Sequence, residues 1–255
     1  MATLIDAAGA RGAYLYRRAL RLTDEPQSGA VYAAKWAALQ RELLAQRFEP
    51  YEEVVKEVNA RLARALGWEW SSADDDEFLE WVAASQPFPD ARPVLERIAE
   101  SGIRVALLTN STPRLLEHAL LQLGPAVSLA ITSEEVGAYK PAAVLFDELL
   151  RRLNAQPTEV VHVAAGYDYD IPPARAAGMR TFWVDRGGGA TDPRAATFAG
   201  RTLWDVLGAS RRLAALNARD LDARGRGETA RIRRRHRARR PMSSPADNRP
   251  CGAAT

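Results

Sequence analysis

The hydrophobic period changes once along this chain, near residue 88, and that change limits the fold more than any other feature. Over residues 8–87, apolar side chains recur at three- and four-residue spacing, the pattern of helices with one buried face. Ala10–Leu22, Ala30–Gln46, Pro50–Leu66 and Asp74–Ala84 follow it, with breaks at Glu25–Gly29, Phe48–Pro50 and Gly67–Ser72. Over residues 88–208, short apolar runs alternate with helical segments instead. Ile103–Thr109 (IRVALLT) reads as a strand buried on both faces. A helix over Pro113–Leu123, a strand over Ser128–Thr132 and a helix over Ala142–Leu153, with Pro141 at its first position, come next. A strand over Val160–Ala164, a helix near Ile171–Ala177 and a strand over Thr181–Asp185 complete the series. This order predicts an α/β fold, a Rossmann-like parallel sheet with helices on both faces, accompanied by an all-helical region. In such sheets the site lies beyond the carboxyl ends of the strands.

Composition excludes several classes. With 47% apolar and 26% charged residues over 255 positions, the chain reads as a soluble globular protein of one or two domains. The apolar runs fall far short of the roughly 20 residues that span a bilayer, so no membrane partner is expected. The N-terminus has no basic start followed by an apolar run, so it does not read as a secretory signal. One cysteine, Cys251, allows neither an intrachain disulfide nor a thiolate metal cluster, which fits the cytoplasm. His118, His162 and His236 lack the spacing of a zinc site.

The net charge of +3 hides an asymmetry. From Arg211 onward there are 13 arginines and 4 acidic residues, whereas residues 1–210 carry 22 basic and 28 acidic side chains. The globular part is therefore acidic. The segment 209–255 has almost no large apolar residue after Leu221 and is expected to be a disordered Arg-rich tail. An arginine run suits an anionic surface, but the tail offers no aromatic ring for bases to stack on. Nucleic acid is not the expected partner.

Three elements carry chemistry. Thr109-Asn110-Ser111-Thr112-Pro113 ends a strand directly before a helix, where hydroxyl, amide and free main-chain N–H groups make an oxyanion cradle or, more simply, an N-cap at Ser111 or Thr112. Lys140, before Pro141, stands in a loop on the same sheet edge; it is either a cation for a reacting carboxylate or anionic substrate, or a solvated lysine. Asp168 and Asp170 follow a buried strand, where they could hold magnesium, orient the lysine or cap the helix. Asn110 and Lys140 are 30 residues apart, as are Lys140 and Asp170. Each interval holds strand and helix units, so all three elements can converge on one sheet edge.

These stretches resemble the haloacid dehalogenase superfamily of hydrolases, in the branch of the 2-haloacid dehalogenases. LLTNST (107–112) is similar to its second motif and YKPAAVLF (139–146) to its third. HVAAGYDYDIPPARAAGM (162–179) with TFWVDR (181–186) is similar to the fourth. The resemblance covers about residues 3–207. It implies a hinge remnant at 1–7, a helical cap inserted at 8–87 and an α/β core at 88–208. It also implies catalytic roles for Lys140, Asp170 and Asp168, and contacts to a small anionic substrate from Thr3, Thr109 and Asn110. In the family an aspartate attacks carbon or phosphorus and water then hydrolyses the covalent intermediate.

The chain departs from the family pattern twice. Thr3-Leu4-Ile5-Asp6 resembles the end of the first motif, with Met1-Ala2 where the strand and its nucleophilic aspartate belong. Asp6 follows the threonine, so it resembles the start of the hinge. The expectation is a core without its middle strand, between Ile103–Thr109 and Val160–Ala164, and an enzyme truncated and impaired as written. Second, phosphatases of the family carry an acid five residues before the later one, and here that position is Ala165. Dehalogenases need no metal, so no cofactor is expected; magnesium belongs to the phosphatase alternative, for which Asp168 could compensate. On the cap, Trp36, Lys35, Gln40 and Arg41 are candidates to receive halide or simply helix surface and core; of these Arg41 is the expected substrate contact. The alternatives to a dehalogenase-type hydrolase are a magnesium-dependent phosphatase and a non-catalytic protein that binds small anions. A homodimer is left open.

Overall fold

The computed structural model describes residues 3–187 and 192–209. Met1–Ala209 forms one compact unit, and the second unit, Ser210–Thr255, lies outside the described residues together with the expectation of a disordered tail.

Four helices form the cap region: α1 (Ala7–Leu22), α2 (Gly29–Leu44), α3 (Tyr51–Leu66) and α4 (Ser72–Ala83). Local chemistry sets their ends. Asp6 accepts from Gly9 N at 2.8 Å and so caps α1, which starts three residues earlier than its apolar spacing predicts. Gly67 ends α3 at φ 70°, and Ser71 with Asp74 forms a capping box that opens α4. Helices α1 and α2 meet at Gly12 and Gly29, where a Cβ added to Gly12 would stand 2.6 Å from the Gly29 carbonyl oxygen. The aromatic residues of this region turn inward. Tyr14 and Phe78 pack edge to face at 5.3 Å, and Trp36 stacks on Phe78 at 5.7 Å. Trp36 Nε1 donates to Asn59 Oδ1 and Asn59 Nδ2 donates to Asp75 Oδ1, each at 2.8 Å, so these three buried side chains satisfy one another.

A short antiparallel contact joins the two ends of this helical region. Ile5 bridges Pro87, Asp6 N donates to Gln86 O and Phe88 N donates to Leu4 O.

The core carries α5 (Ala91–Glu100), β1 (Val105–Thr109), α6 (Pro113–Leu123), β2 (Val127–Thr132), α7 (Ser133–Val136), α8 (Ala143–Leu153), β3 (Val161–Ala164), α9 (Tyr167–Ala176), β4 (Arg180–Val184) and β5 (Phe198–Gly200). The named strands all pair parallel, in two sheets ordered β1-β2 and β3-β4-β5. The chain is thus an α/β protein with parallel sheets. Both β1 and β3 are end strands, and Ala106, Leu107 and Leu108 are only half-buried where the sequence predicts burial on both faces. Three further expectations are corrected. Pro141 does not open α8: it sits in a turn closed by Ala142 N donating to Tyr139 O, and the Lys140–Pro141 peptide is cis. Helix α9 begins at Tyr167, four residues before its apolar pattern, so Asp170 lies inside it and is not its cap. Helices α5 and α7 and strand β5 are additional to the predicted series. Among the described residues, no helix is long and apolar enough to cross a membrane.

Candidate active site

Lys140 holds the two sheets together at their carboxyl ends. Its Nζ donates to the Leu108 carbonyl of β1 at 3.1 Å and to Asp170 Oδ1 of α9 at 2.7 Å. His162 on β3 approaches the same Oδ1 through Nε2 at 2.8 Å. A carboxylate only accepts, so Nε2 carries a proton here. All three residues are buried. Burial alone would raise the Asp170 pKa, but the Lys140 charge and the His162 hydrogen bond overcome it and hold the group well below the usual carboxylate range. The packing around Asp170 is tight on its other side too: a Cβ on Gly166 would stand 2.9 Å from Asp170 Oδ2.

The Lys140 loop is fixed by Asn110. Its Oδ1 accepts from Lys140 N at 2.8 Å and its Nδ2 donates to Lys140 O at 3.1 Å, so this amide positions the lysine. Thr112 is the residue that caps α6, accepting from Leu115 N at 3.0 Å. Thr109 Oγ1 and Ser111 Oγ are left buried without a partner, which buried hydroxyls seldom are. They stand at the β1 end beside the N-terminus of α6, where free main-chain N–H groups favour an anion.

Thr3 closes the site from the other sheet. Its Oγ1 accepts from Ala165 N at 2.9 Å, just past β3. Arg186, stacked over Phe88 at 3.8 Å, donates to Thr3 O and pairs with Asp90 at 2.8 Å. Thr3, Thr109, Asn110, Lys140 and Asp170 thus gather at the strand ends. Asp168 is exposed on the first turn of α9. Arg41 is exposed in the last turn of α2, but its charge reaches the Tyr169 hydroxyl. Trp36 is fully buried in the cap core, Lys35 bonds Gln27, and Gln40 donates to Tyr51 OH at 2.6 Å.

Apolar spacing and strand-end motifs do not mark His162, Tyr51 or Tyr169 for this site. Tyr51 and Tyr139 pack 6.4 Å apart, and Tyr139 OH donates to Glu49 O at 2.7 Å, which seats the cap against the Lys140 loop. The Tyr169 hydroxyl is buried without a partner, and burial pushes its pKa up to about 12. A tyrosine beside an acid at a helix start is a signal that the sequence does carry.

Residues 3–178 match the family model of haloacid dehalogenase-like hydrolases. This chain belongs to that family. The hydrolase is 32% identical to phosphatase MT3486 of Mycobacterium tuberculosis over 141 residues, 54% of this chain and 64% of that protein. It is 29% identical to glyceraldehyde 3-phosphate phosphatase of Methanopyrus kandleri over 182 residues, 66% of this chain and 78% of the relative. Over the first of these the hydrolase spans less than two thirds of the relative's length. In fold it is similar to L-2-haloacid dehalogenase from Xanthobacter autotrophicus, with a TM-score of 0.70, 19% identity and coverage of 83% of this chain and 95% of the other.

Proposed function

We propose that the hydrolase is of the 2-haloacid dehalogenase type and acts on a small anionic substrate through an aspartyl ester. The single observation that carries this reading is Ala165. It follows β3 where the phosphatase pattern places a carboxylate, and its N–H is already bonded to Thr3. The other donors fit magnesium no better. Asp170 Oδ1 is shared by an ammonium and an imidazole N–H, and Asp168 is exposed. A divalent cation beside Lys140 would meet like charge.

In this reading the nucleophile is an aspartate carboxylate at the position ahead of Thr3, where this sequence has Met1 and Ala2 and is therefore expected to be impaired; that carboxylate attacks the carbon that bears the halogen. The C–O bond forms as the C–halogen bond breaks, and the halide leaves with the bonding pair. Water then adds to the ester carbonyl, and the acyl C–O bond breaks to give the 2-hydroxy acid and the regenerated carboxylate, with release of a proton. Lys140 neutralises the attacking carboxylate, and Asp170 with His162 holds its ammonium in place. The Thr109 and Ser111 hydroxyls and the α6 N-terminus are placed to take the substrate carboxylate.

A second reading, phosphate monoester hydrolysis, is favoured by the phosphatases among its sequence relatives. The two readings separate on one assay: halide release from 2-chloropropionate without metal, against magnesium-dependent phosphate release. It is run on the 255-residue chain and on the same chain extended through the in-frame codons upstream of Met1.

A further inference from the structure

Of the four helices in the cap region, α1, α2 and α4 are capped from their own first residues, by Asp6, by Ser28 and by the Ser71–Asp74 box. Helix α3 is different. It follows Pro50, which has no side chain to cap with, and its first N–H, on Tyr51, donates to Glu134 Oε1 at 3.0 Å, 83 residues further along the chain. That carboxylate stands just past β2, in the first turn of α7. A helix N-terminus favours an anion, so α3 has its cap only while it lies against the α/β region.

Tyr139 makes a second attachment between the same two parts. Its hydroxyl donates to the Glu49 carbonyl at 2.7 Å, and its ring packs on Phe48 at 5.0 Å and on Tyr51 at 6.4 Å. Burial pushes the hydroxyl pKa up, so the donor keeps its proton. Among the described residues, the apolar cluster of the cap region buries two side chains from beyond residue 88, Leu115 and Tyr139. The main chain of Tyr139, in contrast, belongs to the site. Its carbonyl accepts from Ala142 N and closes the turn that presents Lys140. The next N–H along, that of Lys140, donates to Asn110 Oδ1 at 2.8 Å. One residue thus has its side chain in the helical cluster and its backbone in the lysine turn.

We infer that Tyr139 is a positioning residue that couples docking of the helical region to the placement of Lys140, with Glu134 as the latch that holds α3 down. Lifting the α2–α3 linker, residues 45–50, strips the Tyr139 hydroxyl of its acceptor and α3 of its cap, and it frees the turn that carries the ammonium. The consequence for hydrolysis rests on the reading above, in which Lys140 neutralises the attacking carboxylate.

The test begins without a substrate, on the 255-residue chain. Amide hydrogen exchange at Lys140 reports the turn. The ring nitrogens of His162, which bonds Asp170 and packs on Phe146, report the far side of the site by NMR, and neither of those partners lies in the helical region. Y139F deletes one hydroxyl and keeps the ring contacts. E134A removes the carboxylate that caps α3, and E134Q keeps an acceptor oxygen there. Gly67→Ala strains the opposite end of α3 and is the control for lost stability alone. Y139F and E134A are expected to speed exchange at Lys140 about five- to tenfold and to shift the His162 signals. E134Q is expected to restore most of the protection, and Gly67→Ala to change neither readout. Unchanged Lys140 exchange and His162 signals in Y139F would overturn the inference. Equal changes in Gly67→Ala would overturn it as well, because Tyr139 would then contribute stability only. In the chain extended upstream of Met1, Y139F should lower kcat about fivefold with KM unchanged; a raised KM with unchanged kcat would contradict the coupling. Absence of both hydrolytic activities, with Lys140 exchange still responding to Y139F and E134A, would count against the hydrolase reading and leave the coupling in place.

Discussion

Lys140 donates from Nζ to the main-chain carbonyl of Leu108 on the end strand β1 at 3.1 Å, so a side chain ties this strand to the site. The same ammonium meets Asp170 at 2.7 Å. One residue therefore serves both the joint between the sheets and the charge balance of the site.

Removing that ammonium leaves the buried Asp170 carboxylate with His162 as its remaining side-chain donor. K140M is expected to lose about 3–5 kcal/mol of stability, because breaking a buried pair strands the other charge. Urea unfolding measures this. Adding D170L to K140M should recover a large part of the loss, since the stranded charge goes with it.

The pH dependence follows from the depressed Asp170 pKa. A folded pKa below the unfolded value gives stability that is fully present above the unfolded pKa, about 3.9. It is lost as pH falls from there through the folded value. The stability gap between wild type and D170N should stay constant from neutral pH down to about pH 5 and narrow below about pH 4. A gap that instead opens on acidification would reverse the sign assigned to this pair.

The cap has its own test. Gly12→Ala would place a methyl against the Gly29 carbonyl, 2.6 Å away, and main chain cannot yield as a side-chain tip does. A cost of about 1–3 kcal/mol is expected, read as a Tm lowered by roughly 2–4 °C per kcal/mol. Gly67→Ala meets no neighbour but keeps a left-handed backbone at φ 70°, and its expected cost is about 1 kcal/mol.

Gly166→Ala should act on the site. Its Cβ would press on Asp170 Oδ2 at 2.9 Å and displace the carboxylate from Lys140. Turnover is expected to fall while the fold is retained, measured as kcat alongside far-UV circular dichroism.

Much of this fold was legible in the sequence because periodicity reports burial. The four cap helices and the β1 to β4 order follow directly from the spacing of apolar residues. Helix starts were less legible, since Asp6 and the Gly166–Tyr167 turn extend α1 and α9 through polar residues that periodicity does not count. The three-residue strand β5 is too short to show a period. In the site, Asn110, Lys140 and Asp170 were visible because motif spacing placed them at strand ends, although the amide fixes the lysine loop. His162 was not visible, being a single histidine on an apolar strand. Its role comes from a tertiary neighbour, Asp170.

The most direct measurement is chloride release from 2-chloropropionate by the chain extended upstream of Met1, in the presence of a chelator, with K140M alongside. Chloride release that resists chelation and is lost in K140M is the expected result. Magnesium-dependent release of phosphate from a monoester, with no chloride released, would contradict it.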